Sequence, residues 1–214
     1  MLKTDRMAGV LALAGMLAGV LSIVPVLEEP GFLALVPARE GQLLLGAVAQ
    51  LVMIPAYAGF ALCLHRALKA ENETLALGFV GFRLIAAAFH VVGVISLPLI
   101  LLLARQEAAP DVEVLAELLR SGRDLVNHVA LIIALGLGDL LMFAVFFRSR
   151  LVPRWLSVWG LLGVGLAIVA SVLVLLGVTG VVTPFYLALN APLAVQTLVL
   201  ALWLIVRGLG RPVR

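Results

Sequence analysis

Six long apolar stretches alternate with short polar breaks along the chain, and Lys and Arg crowd every second break. A helix rises ~1.5 Å per residue, so about 20 apolar residues cross the ~30 Å hydrocarbon layer. The pattern therefore predicts six membrane-spanning helices, over about 7–27, 41–64, 75–104, 124–147, 155–178 and 184–206. These spans use most of the 214 residues, which predicts an all-α, polytopic bundle forming one integral membrane domain over residues 1–214. Lys3 and Arg6 before the first apolar run resemble the start of a signal peptide. However, Pro25 and Glu28-Glu29-Pro30 follow it without a small-x-small cleavage site, so it reads as a span.

Smaller patterns sit on this frame. Between Pro110 and Gly122, Asp111 can open a short helix with Val112, Leu115, Leu118 and Leu119 on one side, an amphipathic helix resting on the bilayer surface. Trp155 and Trp159 stand where a span meets the headgroup layer, as anchoring aromatics do. Gly15-x-x-x-Gly19 and glycines 160, 163 and 165 permit close helix packing, while Pro55 and Pro98 predict kinks and freed carbonyls.

Charge orients the bundle. Lys3, Arg6, Arg66, Lys69, Arg148, Arg150, Arg154, Arg207, Arg211 and Arg214 collect on one side, against Arg39, Arg105, Arg120 and Arg123 on the other. By the positive-inside rule this predicts a multi-pass protein of the cell membrane with both termini cytoplasmic. The outer side carries the acids Glu28, Glu29, Glu40, Glu107, Asp111, Glu113, Glu117 and Asp124. The net charge of +3 comes from membrane-edge bases with no basic stripe, so the partner implied is the lipid bilayer and not nucleic acid. A single cysteine, Cys63, excludes an intrachain disulfide or a thiolate metal cage.

With 64% hydrophobic and 13% charged residues, charges inside the spans are few, and each needs a reason. Arg83 lies ten residues beyond Glu73 and Asp139 nine before Arg148, which places both about 13–15 Å below the same face. On consecutive antiparallel spans they are expected to meet as an ion pair, either fixing register or forming a binding site for a small solute or ion. His90, two turns from Arg83, and His128, three turns from Asp139, lie at similar depths. Two facing imidazoles could ligate haem or pass protons, although His128 also lies close to Asp124 at the interface. Gln50, Tyr57, Asn127, Asn190 and Gln196 complete the polar set, and such side chains commonly hydrogen-bond across helices. Asn190-Ala191-Pro192 could loosen the last span.

The runs Leu77–Arg83, Leu151–Gly160, Asn190–Pro192 and Leu202–Gly208 resemble those of DUF4386, a family of bacterial six-span membrane proteins of unknown function. The resemblance covers nearly the whole chain. It implies the fold and the location but no activity. It matches Arg83 to the family's intramembrane arginine and implies glutamates where this chain has Gln50, Ala86 and Thr197. Asp139 would then carry the countercharge here.

Three functions follow from these residues. The first is a solute- or ion-handling site around Arg83 and Asp139, with Gln50, His90, His128, Asn190 and Gln196 as candidate lining. The second is a non-catalytic structural or signalling protein, and the third a haem module on His90 and His128. No span contains lysine, and His-Glu-x-x-His, Gly-x-Ser-x-Gly and P-loop motifs are absent, so neither catalytic chemistry nor a cofactor is expected. The halves show no inverted repeat of the kind many transporters carry.

Overall fold

The computed structural model describes residues 2–106 and 109–210. Glu107, Arg211 and Arg214, counted above among the flanking charges, lie outside the described residues. Among those residues there are eight α-helices and no strand: α1 (Leu2–Leu21), α2 (Phe32–Leu35), α3 (Glu40–Glu71), α4 (Glu73–Ala104), α5 (Pro110–Leu125), α6 (Leu131–Ser149), α7 (Arg154–Leu175) and α8 (Pro184–Val206). Six of them are long and apolar enough to span a membrane, namely α1, α3, α4, α6, α7 and α8.

The first span is displaced from its expected bounds. It starts at Leu2 and stops at Leu21, because Pro25 cannot continue a helix and disfavours helical geometry just before it. The fourth span is not separated from the amphipathic segment. No proline interrupts 111–149, so α5 runs through a π turn, Val126–Ala130, directly into α6. Pro55, Pro98 and Pro192 all lie inside helices that continue past them.

Each spanning helix packs on its chain neighbours, and the order α1–α3–α4–α6–α7–α8 closes back onto α1. Closure takes place at Gly9, where a Cβ would stand 2.5 Å from the Ala201 carbonyl oxygen, so only glycine admits this approach of α8. Nearby, the Leu209 amide donates to the buried Asp5 carboxylate at 3.3 Å, which ties the two chain ends to one face of the bundle. Glycine works differently along α7. Gly163 meets the Leu193 backbone of α8, Gly160 accommodates the Phe143 ring, and Gly165 faces open space.

Two apolar clusters fill the interior. The larger lies toward the terminal face and contains Phe60, Leu64, Phe79, Phe143, Phe146 and Leu156. The smaller caps the opposite face, where residues 22–39 fold over α3, α4 and α5 and bury Val26, Leu27, Phe32 and Val36. Helix α5 contributes the buried Ala116 and the partly buried Leu119 to this cap, with Val114, Leu115 and Leu118 facing outward. The outward faces of the spans are apolar too, including Leu17, Leu62, Leu77 and Leu162, the surface hydrocarbon requires and water would oppose.

Candidate functional site

The close approach of α4 and α6 is set one residue before the acid. A Cβ on Gly138 would lie 3.2 Å from Phe82 Cβ and 3.4 Å from the Phe79 carbonyl oxygen. The next residue, Asp139, consequently faces Arg83, whose Nη2 donates to Asp139 Oδ1. Arg83 is 7% exposed at its side chain and Asp139 14%, so the pair is nearly withdrawn from solvent. Three rings surround the guanidinium, with the centroids of Phe60, Phe79 and Tyr57 at 5.0, 5.5 and 5.6 Å from Arg83 Cζ. Their π-faces attract a desolvated cation, which offsets part of its lost hydration. Arg83 Nε remains buried and without a hydrogen-bond partner.

The pair stands on the wall of a cavity of about 380 Å³ at the centre of the ring. Its lining is mainly apolar, from Met16 and Val20 of α1, Phe60 of α3, Leu135 and Met142 of α6 and Leu193 of α8. Tyr57, beside Arg83, and Asn190 and Thr197 of α8 add polar residues to the lining. Tyr57 can sit there because Gly15 leaves room for its ring, 3.0 Å from where a Cβ would be. Val20 and Ile23 line the cavity yet are 67% and 65% exposed, so it opens to the outside of the bundle near the far end of α1. Opposite this opening, the larger aromatic cluster fills the bundle toward the terminal face.

The remaining candidate residues divide. Gln50 and Asn127 meet at Gly93, where a Cβ would lie 2.7 Å from Asn127 Oδ1 and 3.1 Å from both Gln50 amide atoms. His90 is one helical turn before Gly93 and stacks on Tyr57, with centroids 5.4 Å apart. His128 takes a different partner. Its Nδ1 is 3.0 Å from the Tyr186 hydroxyl on α8, and its carbonyl accepts from Ser171 Oγ of α7 at 2.7 Å. The two histidines therefore turn to opposite neighbours, α3 and α8, and neither lines the central cavity. Asn190 donates back to the Tyr186 carbonyl at 2.9 Å and reinforces the turn that Asn190-Ala191-Pro192 was expected to loosen. Gln196 is fully buried away from the cavity and donates to the Leu156 carbonyl at 3.2 Å, which joins α8 to α7.

At the level of sequence Tyr57 stands only among the polar set and Thr197 only in the resemblance, and the cage rings Phe60 and Phe79 are not singled out. Their signal was present as spacing: Tyr57 and Phe60 are three apart, Phe79 and Arg83 four, and Asn190 and Thr197 seven, each pair on one helical face.

Residues 7–208 match the family model described as a domain of unknown function, DUF4386. No curated protein and no solved structure matches the chain.

Proposed function

Since the chain belongs to the DUF4386 family, whose description assigns no activity, we propose a function from the geometry of the cavity: binding of a small lipophilic molecule that carries one polar or acidic head group. The observation that carries this reading is the Arg83–Asp139 pair on the wall of an otherwise apolar chamber. A ligand's apolar body gains by filling such a chamber, while its head exchanges bonds with the ion pair, Tyr57 or Asn190. An acidic head would pair with the guanidinium, whose fixed fork suits a carboxylate. The opening beside Val20 and Ile23 favours entry from the lipid leaflet. The packed aromatic cluster closes the terminal side in this conformation, which supports binding over free passage.

The excess of Lys and Arg at the terminal face supports its placement in the cytoplasm, with the cavity opening toward the outer leaflet.

Radiolabelled dodecanoate, a simple lipophilic acid, tests the binding reading. Wild-type protein in detergent is expected to retain it, and Ala194→Trp, which fills the cavity from α8, to lose it. The double change Arg83→Met with Asp139→Ala is expected to stay folded and bind no dodecanoate. Equal retention by all three proteins would refute the site, and would favour the reading of the ion pair as purely structural.

A further inference from the structure

Beyond the cavity, the densest concentration of unsatisfied polarity lies around Gly93. His90 is 2% exposed and Gln50 4%, yet His90 Nδ1, His90 Nε2, Gln50 Oε1 and Asn127 Oδ1 are all buried without a hydrogen-bond partner in the protein. A neutral imidazole offers one donor and one acceptor, and buried polar groups are almost always paired with protein or ordered water. Gly93 lets both amides close onto α4, since any Cβ there would fall against them. The π turn supplies the direction. Ser171 and Tyr186 hold His128 from the α7 and α8 side, while Asn127, one residue earlier, turns to Gln50 and Gly93. Extra-wide helical turns of this kind occur disproportionately at functional sites.

These buried polar groups lie between the ion pair and a recess in the surface. On one side His90 stacks on Tyr57, whose ring also lies against Arg83 and so abuts the ion pair. On the other side Arg123 and Asp124 stand four and three residues before Asn127, and Asp124 lines a surface recess of about 600 Å³ with Glu28, Arg120 and Thr183. Of the titratable groups, Tyr57 from α3 lies directly against His90, the Arg83–Asp139 pair lies beyond Tyr57, and Arg123, Asp124 and His128 flank Asn127 along the chain. Toward the terminal face the pair is backed by the aromatic cluster.

We propose that Gln50, His90 and Asn127 form a water-binding proton-relay site that connects the Arg83–Asp139 pair to the face opposite the termini. Water bridges the imidazole to the two amides. A proton arriving through that water bonds to one ring nitrogen, and the other nitrogen releases its own proton toward Asp139. The carboxylate becomes a neutral acid and frees the Arg83 guanidinium for an acidic head group. Buried polar groups arranged across part of a membrane serve proton pathways in this manner. The inference deepens the reading of Arg83 and Asp139 as a binding site, but its test needs no ligand.

The chain has only three histidines, so selective 15N-histidine labelling in lipid bilayers reports on each. Magnetisation transfer from water to the imidazoles is measured by solid-state NMR, with His90→Phe assigning the signal. His90 is expected to receive transfer comparable with half-buried His65, and to lose it in Gln50→Leu. A wild-type His90 that receives none would overturn the water site, whether or not the variants fold. For the relay, an acid jump is followed by the protonated-carboxyl infrared band that Asp139→Asn removes. Its appearance is expected to slow in His90→Phe and to keep its wild-type rate in His128→Phe. Equal rates in all three proteins, or no such band at acid pH, would overturn the relay. Dodecanoate binding can fail without affecting either measurement.

Discussion

At the scale of single residues, the ion pair is held by what surrounds it. Arg83 has one direct acceptor in Asp139 and three aromatic rings about its guanidinium. Removing one partner of a buried pair strands the other where water cannot solvate it, at a cost of roughly 3–5 kcal/mol, whereas an apolar replacement of both is often neutral. Arg83→Met or Asp139→Ala alone should therefore lower the melting temperature in detergent more than the two together. Methionine is the chosen substitute because its thioether packs well against aromatic rings. A double variant less stable than either single would show that the pair is not coupled in this way.

At the scale of helices, stability turns on where backbones touch. Gly9 brings α1 against the Ala201 carbonyl and the Ile205 amide, neither of which can move aside as a side chain would. Gly9→Ala is expected to destabilise by about 1–3 kcal/mol, the usual range for overpacking. Gly165, on α7, meets nothing within 4 Å. Gly165→Ala should be neutral or stabilising by up to ~1 kcal/mol, because alanine restricts the unfolded backbone and suits a helix interior. Thermal melts of the two variants side by side check both, and equal losses would contradict the packing described here. Helix α5 packs inward through Ala116 and Leu119 and turns Val114, Leu115 and Leu118 away from the protein. Leu118→Glu should accordingly leave the fold intact but loosen α5 from the bilayer, read as faster proteolysis of the 106–125 region in vesicles. An unchanged cleavage rate would place that face in water.

For the whole molecule, the ring closes because the first and last helices meet at the terminal face, anchored by Asp5 and Leu209. Both ends must therefore lie on the same side of the membrane. The excess of bases on that side is why we propose that it faces the cytoplasm. In a Cys63→Ser background, a cysteine placed at Glu113 should react with an impermeant maleimide on intact cells. One placed at Lys3 should react only after permeabilisation. The reverse labelling would invert the bundle.

Sequence alone determined the number of spans and the depth of each polar residue, since hydrocarbon thickness fixes helix length and a constant rise converts residue counts into height. That reasoning put Arg83 and Asp139 at one level, and in the folded chain they meet. It could not determine azimuth. His90 and His128 have similar depths by residue count but face α3 and α8, because the ring order and the π turn decide which neighbour each imidazole meets. Gln196 looked equivalent to Asn190 in composition, yet one ties α8 to α7 and the other lines the cavity. The cavity was invisible for the same reason. It is the space left between helices whose separation is set by Gly9, Gly15 and Gly138, and no single stretch of sequence encodes a distance to a stretch far away in the chain.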